Sequence, residues 1–143
     1  MVREKAGLIE IMRGNAADVL VTQKVKKEYD RLIAGTDERS LRQQRTLSRY
    51  LKAFCDLETP HLNDEQFKKE ASFSVGGGNK IAIWAFKAWQ WRLYGAILSL
   101  GGRKTFIGAR VDADKKQNKA NREMMEAAAK EIAALSGVGR GRS

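Results

Sequence analysis

The stretch KIAIWAFKAWQWRLYGAIL, residues 80–98, decides the fold. Its first part, KIAIWAFKA, is apolar at neighbouring positions rather than at every third or fourth, and it is rich in isoleucine and aromatic side chains. That pattern predicts a strand apolar on both faces, hence central in a sheet. WQWRLYGAIL predicts the next strand. RKTFIGARVD, residues 103–112, predicts another beyond the Gly101–Gly102 turn. The joins are short, so these strands are expected to pair as an antiparallel meander. FKKEASFSV, from Phe67, leads into the run Gly76 to Gly78, a hairpin turn or sheet edge. Strand alternation sets Trp89, Trp91 and Leu93 on one face, against helices, and Arg92 and Tyr94 on the other. Lys87 falls at the bend, where alternation assigns no face.

Upstream, residues 1–16 read as a short helix or a loose arm. ADVLVT, residues 17–22, is a short β-branched and aliphatic strand. Val21, Val25, Tyr29 and Leu32 then recur at helical spacing, with Gly35 as the stop. Thr36 or Asp37 caps a second helix running to about Leu57, with Leu47, Tyr50, Leu51, Phe54 and Leu57 on its buried stripe. Arg39, Arg42, Arg45, Arg49 and Lys52 lie mostly on its other side. Downstream, Met124, Met125, Ala128, Ile132 and Leu135 line a last helix over about 118–135. The tail SGVGRGRS is rich in glycine and arginine. The order predicts α+β: a small antiparallel sheet with a helical hairpin and a C-terminal helix against one face, the other face open.

The chain has 143 residues and a net charge of +10. It is long enough for one domain with a core. Its charge favours polyanions or acidic partners. Residues 71–110 contain no Asp or Glu but carry Lys80, Lys87, Arg92, Arg103, Lys104 and Arg110. No apolar run approaches the roughly 20 residues of a membrane span, so no membrane partner is expected. The N-terminus does not read as a signal peptide, and the lone Cys55 suits a reducing cytoplasm.

One Cys and one His, His61 in a loop, argue against a zinc site or a histidine relay. GGGNK, residues 76–80, lacks the spacing of a phosphate-binding Walker loop. Asp112 and Asp114 have no third carboxylate for magnesium. No metal or cofactor is therefore expected. The cations Lys87, Arg92, Arg110, Lys115, Lys116 and Lys119 remain as one basic constellation on or beside the predicted strands.

The segments DVLVTQKVKKEYDRLI, FKKEASF, KIAIWAFKAWQWRLYG and TFIGARVDADKKQNKANREMMEAAAKEI follow one another in an order that resembles the RelE/HigB group of toxins. The resemblance spans roughly residues 17–135, between an N-terminal extension (1–16) and a flexible tail (136–143). It rests on Phe67-Lys68, Trp84 to Lys87, Arg92-Leu93-Tyr94-Gly95 and Lys115-Lys116. It implies a small curved antiparallel sheet with helices on one side. It also implies a metal-independent endoribonuclease that cuts mRNA on the ribosome through the RNA 2′-hydroxyl and is inhibited by a cognate antitoxin protein. On that basis Arg92 is expected as phosphate clamp, with Lys116 or Lys87 in proton transfer. Arg110, Lys115, Lys119 and Tyr94 are expected to hold RNA. A C-terminal Tyr or His used by some members has no counterpart here. The alternative expectations are a catalytically silent nucleic-acid-binding protein and a protein whose basic sheet meets an acidic partner.

Overall fold

The computed structural model describes residues 4–5, 7–58, 61–113 and 121–136. The elements run β1 (Glu4–Lys5), β2 (Leu8–Arg13), β3 (Ala17–Val21), α1 (Gln23–Ala34), α2 (Glu38–Asp56), β4 (Phe67–Gly76), β5 (Asn79–Ala88), β6 (Trp91–Leu100), β7 (Arg103–Asp112) and α3 (Arg122–Ser136). The expected meander forms: β4, β5, β6 and β7 pair antiparallel in succession. Glycine turns join β4 to β5 and β6 to β7, and Gly77, Gly78, Gly101 and Gly102 all have positive φ, as tight hairpins demand.

The small one-faced sheet is not what forms. Six full strands, extended by the two-residue β1, make one mixed sheet in the order β1-β2-β3-β7-β6-β5-β4. β3 joins β7 in parallel, with Val19 opposite Phe106. β2, in the segment expected as a helix or loose arm, pairs antiparallel with β3. β3 is buried at every position, as a parallel strand covered on both faces should be.

Helices cover both faces. On one, Val25, Leu32, Leu47, Leu51 and Phe54 of α1 and α2 pack against Val19, Val21, Phe86, Leu93 and Phe106. On the other, Met125, Ala128, Ala129 and Ile132 of α3 pack against Leu20, Ile83, Ala85, Tyr94 and Ile107. The physical reason lies in strands such as β5, apolar on both sides. An open face would leave Ile81, Ile83 and Ala85 in water, whereas α3 buries all three. Phe54 centres the first core, its ring edge-on to Phe67, Phe86 and Phe106 at 5.5, 5.6 and 6.1 Å.

Local chemistry sets the helix ends. Thr22 Oγ1 accepts from Val25 N–H to start α1, and Asp37 accepts from Ser40 N–H to start α2. Gly35 ends α1 without a left-handed turn, since its φ is -69°. Its small size is what the elbow needs: a Cβ there would lie 2.6 Å from the Ser40 side chain. Gln44 Nε2 closes the elbow by donating to the Leu32 and Gly35 carbonyls at 2.8 and 2.7 Å. Across the sheet, Gly95 lets β6 and β7 meet, because a Cβ would fall 2.1 Å from the Ile107 carbonyl oxygen. Here the register skips Ala109, pairing Tyr94 with Arg110 and Gly95 with Gly108. This bulge turns both Ala109 and Arg110 toward α3.

Cys55 lies wholly inside the first core. Burial, reinforced by the Asp18 and Asp56 carboxylates, pushes its thiol from an ordinary 9.0 up to about 12. The folded protein therefore keeps a proton that the unfolded chain releases above pH 9.0. Stability from this group is complete below that pH and is lost as pH rises through about 12. Native protein at pH 8 should resist thiol alkylation unless denaturant is added. Its melting temperature should fall between about pH 9 and 12, and less steeply in Cys55→Ala. Prompt alkylation of the native state would contradict the burial.

Candidate nucleic-acid interface

The β5–β6 hairpin closes through Trp89 and Gln90, between the paired residues Ala88 and Trp91. Trp89 is the one non-glycine residue with positive φ (60°) among those described. An L-residue there is costly, and a bulky one is unusual. Alternation predicts Trp89 buried beside Trp91. Instead the turn lifts it out of the strand: Trp89 is 54% exposed, whereas Trp91 is 3% exposed. The indole is nonetheless fixed. Its Nε1–H donates to Thr46 Oγ1 at 3.2 Å, and the Arg42 guanidinium sits 5.2 Å from the ring centroid. Trp84, in β5, stacks on Phe67 and belongs to the core.

Trp89 forms one wall of a cleft of about 290 Å³. α2 supplies Thr46, Arg49 and Tyr50, the loop before β4 supplies Asn63, Glu65 and Gln66, and the hairpin supplies Lys87, Trp89 and Arg92. The loop is held in shape by its own bonds. Asn63 Oδ1 accepts from Glu65 N–H, Gln66 Oε1 accepts from Asn63 N–H, and the Gln66 carbonyl accepts from Lys87 N–H. Arg42, Arg45 and Arg49 lie at helical spacing on the exposed side of α2, continuing the cations of the cleft.

Arg92 is half-buried within this cleft. Its cross-strand neighbours are Lys87 and Asp112. Its Nε–H is buried and meets no acceptor among the described residues. Arg92 has no carboxylate partner among the described residues, and a guanidinium that lines an open cleft is suited to a phosphate oxygen.

The other expected site residues are placed differently. Lys87 lines the cleft, but its ammonium is 2.8 Å from Glu70 Oε2 and donates to the Asp64 carbonyl. It ties β5 to β4 and the loop. Arg110 is bridged to Glu131 and donates to the Ala109 carbonyl, which fastens α3 to the sheet. Tyr94 is fully buried under α3, its hydroxyl accepting from Asn121 N–H at 3.4 Å. Burial pushes the Tyr94 hydroxyl above its ordinary range against the opposing effects of that bond and of Arg92. Tyr94 is thus a core residue, with no surface for RNA. Lys115, Lys116 and Lys119 lie outside the described residues. Arg92 is therefore the one expected site residue that sits in the cleft and has no carboxylate partner among those residues. The α2 arginines, expected only as the side of the helix opposite its buried stripe, are the half of the surface that patterning misses. The signal is their helical spacing beside Thr46 and Tyr50.

No family model matches the chain, and neither a curated protein nor a solved structure does. Among the described residues no group of three or more His, Cys, Asp and Glu could hold a metal ion. No described helix is long and apolar enough to cross a membrane.

Proposed function

We propose that this protein binds single-stranded nucleic acid along α2 and the β5–β6 hairpin. The observation that carries this is Trp89, an aromatic ring held out at a hairpin tip against its backbone preference, beside Arg49 and Arg92 of the cleft and the exposed Arg45 of α2. A ring so placed stacks an unpaired base, and the arginines take the flanking phosphates. Asn63 and Gln66, whose side-chain oxygens hold the loop, add amide N–H donors at the cleft wall. Single strands fit better than duplex, because stacking needs a base freed from its neighbours. Binding is the function the described residues support. Cutting of mRNA, implied by the toxin resemblance, would need Lys87 or Lys116 in proton transfer, and Lys87 is engaged by Glu70.

The experiment is fluorescence anisotropy of labelled RNA and DNA dodecamers across a salt series. Contacts by Arg45, Arg49 and Arg92 predict a log–log salt slope of about −2, at roughly −0.7 per phosphate on a single strand. Arg49→Ala and Arg92→Ala should each remove about 0.7 from that slope. Absence of binding at low salt, or slopes untouched by both variants, would sink the proposal.

A further inference from the structure

A second cleft lies farther along α2, at its elbow with α1, with a volume of about 230 Å³. Leu32 and Trp91 give it an apolar floor. Its rim is polar but internally matched: Arg31 pairs with Glu28, and Ser40 Oγ donates to Asp37 Oδ1. Gln43 is different. It lines this cleft at 4% exposure, and its Nε2 is buried with no acceptor among the described residues. The next residue, Gln44, uses its Nε2 on two carbonyls. The helix pair thus closes its elbow with one glutamine and leaves the Nε2 donor of the other unpaired among the described residues.

That amide is costly where it stands. A buried donor without a partner is destabilising, and position 43 shares the buried side of α2 with Leu47, Tyr50 and Phe54, where leucine would fit. The missing partner must carry an acceptor for Nε2 and a flat apolar body for the Leu32 and Trp91 floor. The cleft edge carries Glu28 and Asp37 together with Arg31 and Arg39, so its charges balance and call for neither an anion nor a cation. A neutral heterocycle suits it. A glutamine amide matches adenine, with Nε2 donating to N7 and Oε1 accepting from the N6 amino group. At roughly 30 Å³ per water, the cleft has space for about eight waters, enough for one base. It is also next to the proposed strand site: Gln43 is one helical turn from Thr46, the anchor of Trp89.

We infer that the elbow cleft accepts an adenine of the strand bound at Trp89, read by the Gln43 amide. This rests on the proposed function and adds base selectivity to it.

Three labelled RNAs test it: oligo(A), oligo(U), and oligo(A) carrying 7-deazaadenine, which lacks the N7 acceptor but still stacks. Intact protein should bind oligo(A) about tenfold tighter than either of the others. Gln43→Leu should erase that preference, keep its oligo(U) affinity, and melt no lower than the unaltered protein. Equal affinity for oligo(A) and its 7-deaza form overturns the adenine site while leaving strand binding standing. No binding of any oligonucleotide overturns both. Should Gln43→Leu not fold, the 7-deaza comparison on the unaltered protein still separates these outcomes.

Discussion

Arg103→Met should be the most damaging single substitution on the strand side of the fold. Arg103 opens β7 and grips Asp18 of β3 with two bonds, Nε and Nη2 each 2.9 Å from a carboxylate oxygen. Nη2 also donates to the Gly14 carbonyl at 2.7 Å, so one side chain ties the β2–β3 turn to the start of β7. Asp18 itself is fully buried. The hydrogen bonds to Asp18 are the main reason the guanidinium holds its proton more tightly than usual. With Arg103 gone, a buried carboxylate loses its bidentate partner, which costs about 3–5 kcal/mol. Arg13, with Nε 3.7 Å from Asp18, should hold the loss near the lower end. Asp18→Asn should be milder. The asparagine oxygen can still accept, and the Arg103 side chain, 29% exposed, can turn to water. Urea unfolding followed by circular dichroism gives both values. An Asp18→Asn variant as unstable as Arg103→Met would mean that the burial asymmetry does not govern the pair.

That pair shows where sequence patterning stops. Its partners are 85 residues apart, and the parallel β3–β7 ladder that joins them leaves no local mark. The meander is legible because glycine pairs punctuate it and because β-branched and aromatic residues fill the strands between. The helices are legible from their stripes. β2 is not, because Glu10 breaks the apolar run of residues 8–12 into something too short to favour either period. The two covered faces are implicit in residues 80–88, which are apolar on both sides, since a strand of that kind requires cover on both sides. Trp89 escapes for a simpler reason: its turn contains no Gly, Asn, Asp or Pro, so alternation runs straight through it. In the site, alternation marks Trp91 and Leu93 as core, whereas Arg92 lines a cleft with Thr46 and Tyr50 of α2 rather than an open sheet face. No pattern distinguishes Gln43, with its unpaired Nε2, from Gln44 beside it.

Trp89→Ala should weaken single-strand binding by about 10- to 100-fold, the equivalent of the roughly 1–3 kcal/mol that one base–aromatic stack supplies. Trp89→Gly should lose affinity to the same extent, yet it should be more stable than Trp89→Ala by about 1 kcal/mol. The reason is backbone: φ at this position is 60°, a conformation that strains any side chain with a Cβ and leaves glycine unstrained. The two variants separate two roles that one residue combines. If Trp89 served packing, alanine and glycine would both cost what a large buried aromatic costs, about 3–5 kcal/mol, and binding would fall only as the fold failed. With 54% of the residue exposed, its contacts run chiefly to Thr46 and Arg42, and little core is lost with it. Trp89→Tyr tests the ring directly, since it keeps a π-face while losing the indole N–H that reaches Thr46. It should retain most of the affinity that alanine loses. Wild-type binding by Trp89→Ala would remove stacking from the proposed mechanism and leave the arginines of α2 and Arg92 to act on phosphate alone.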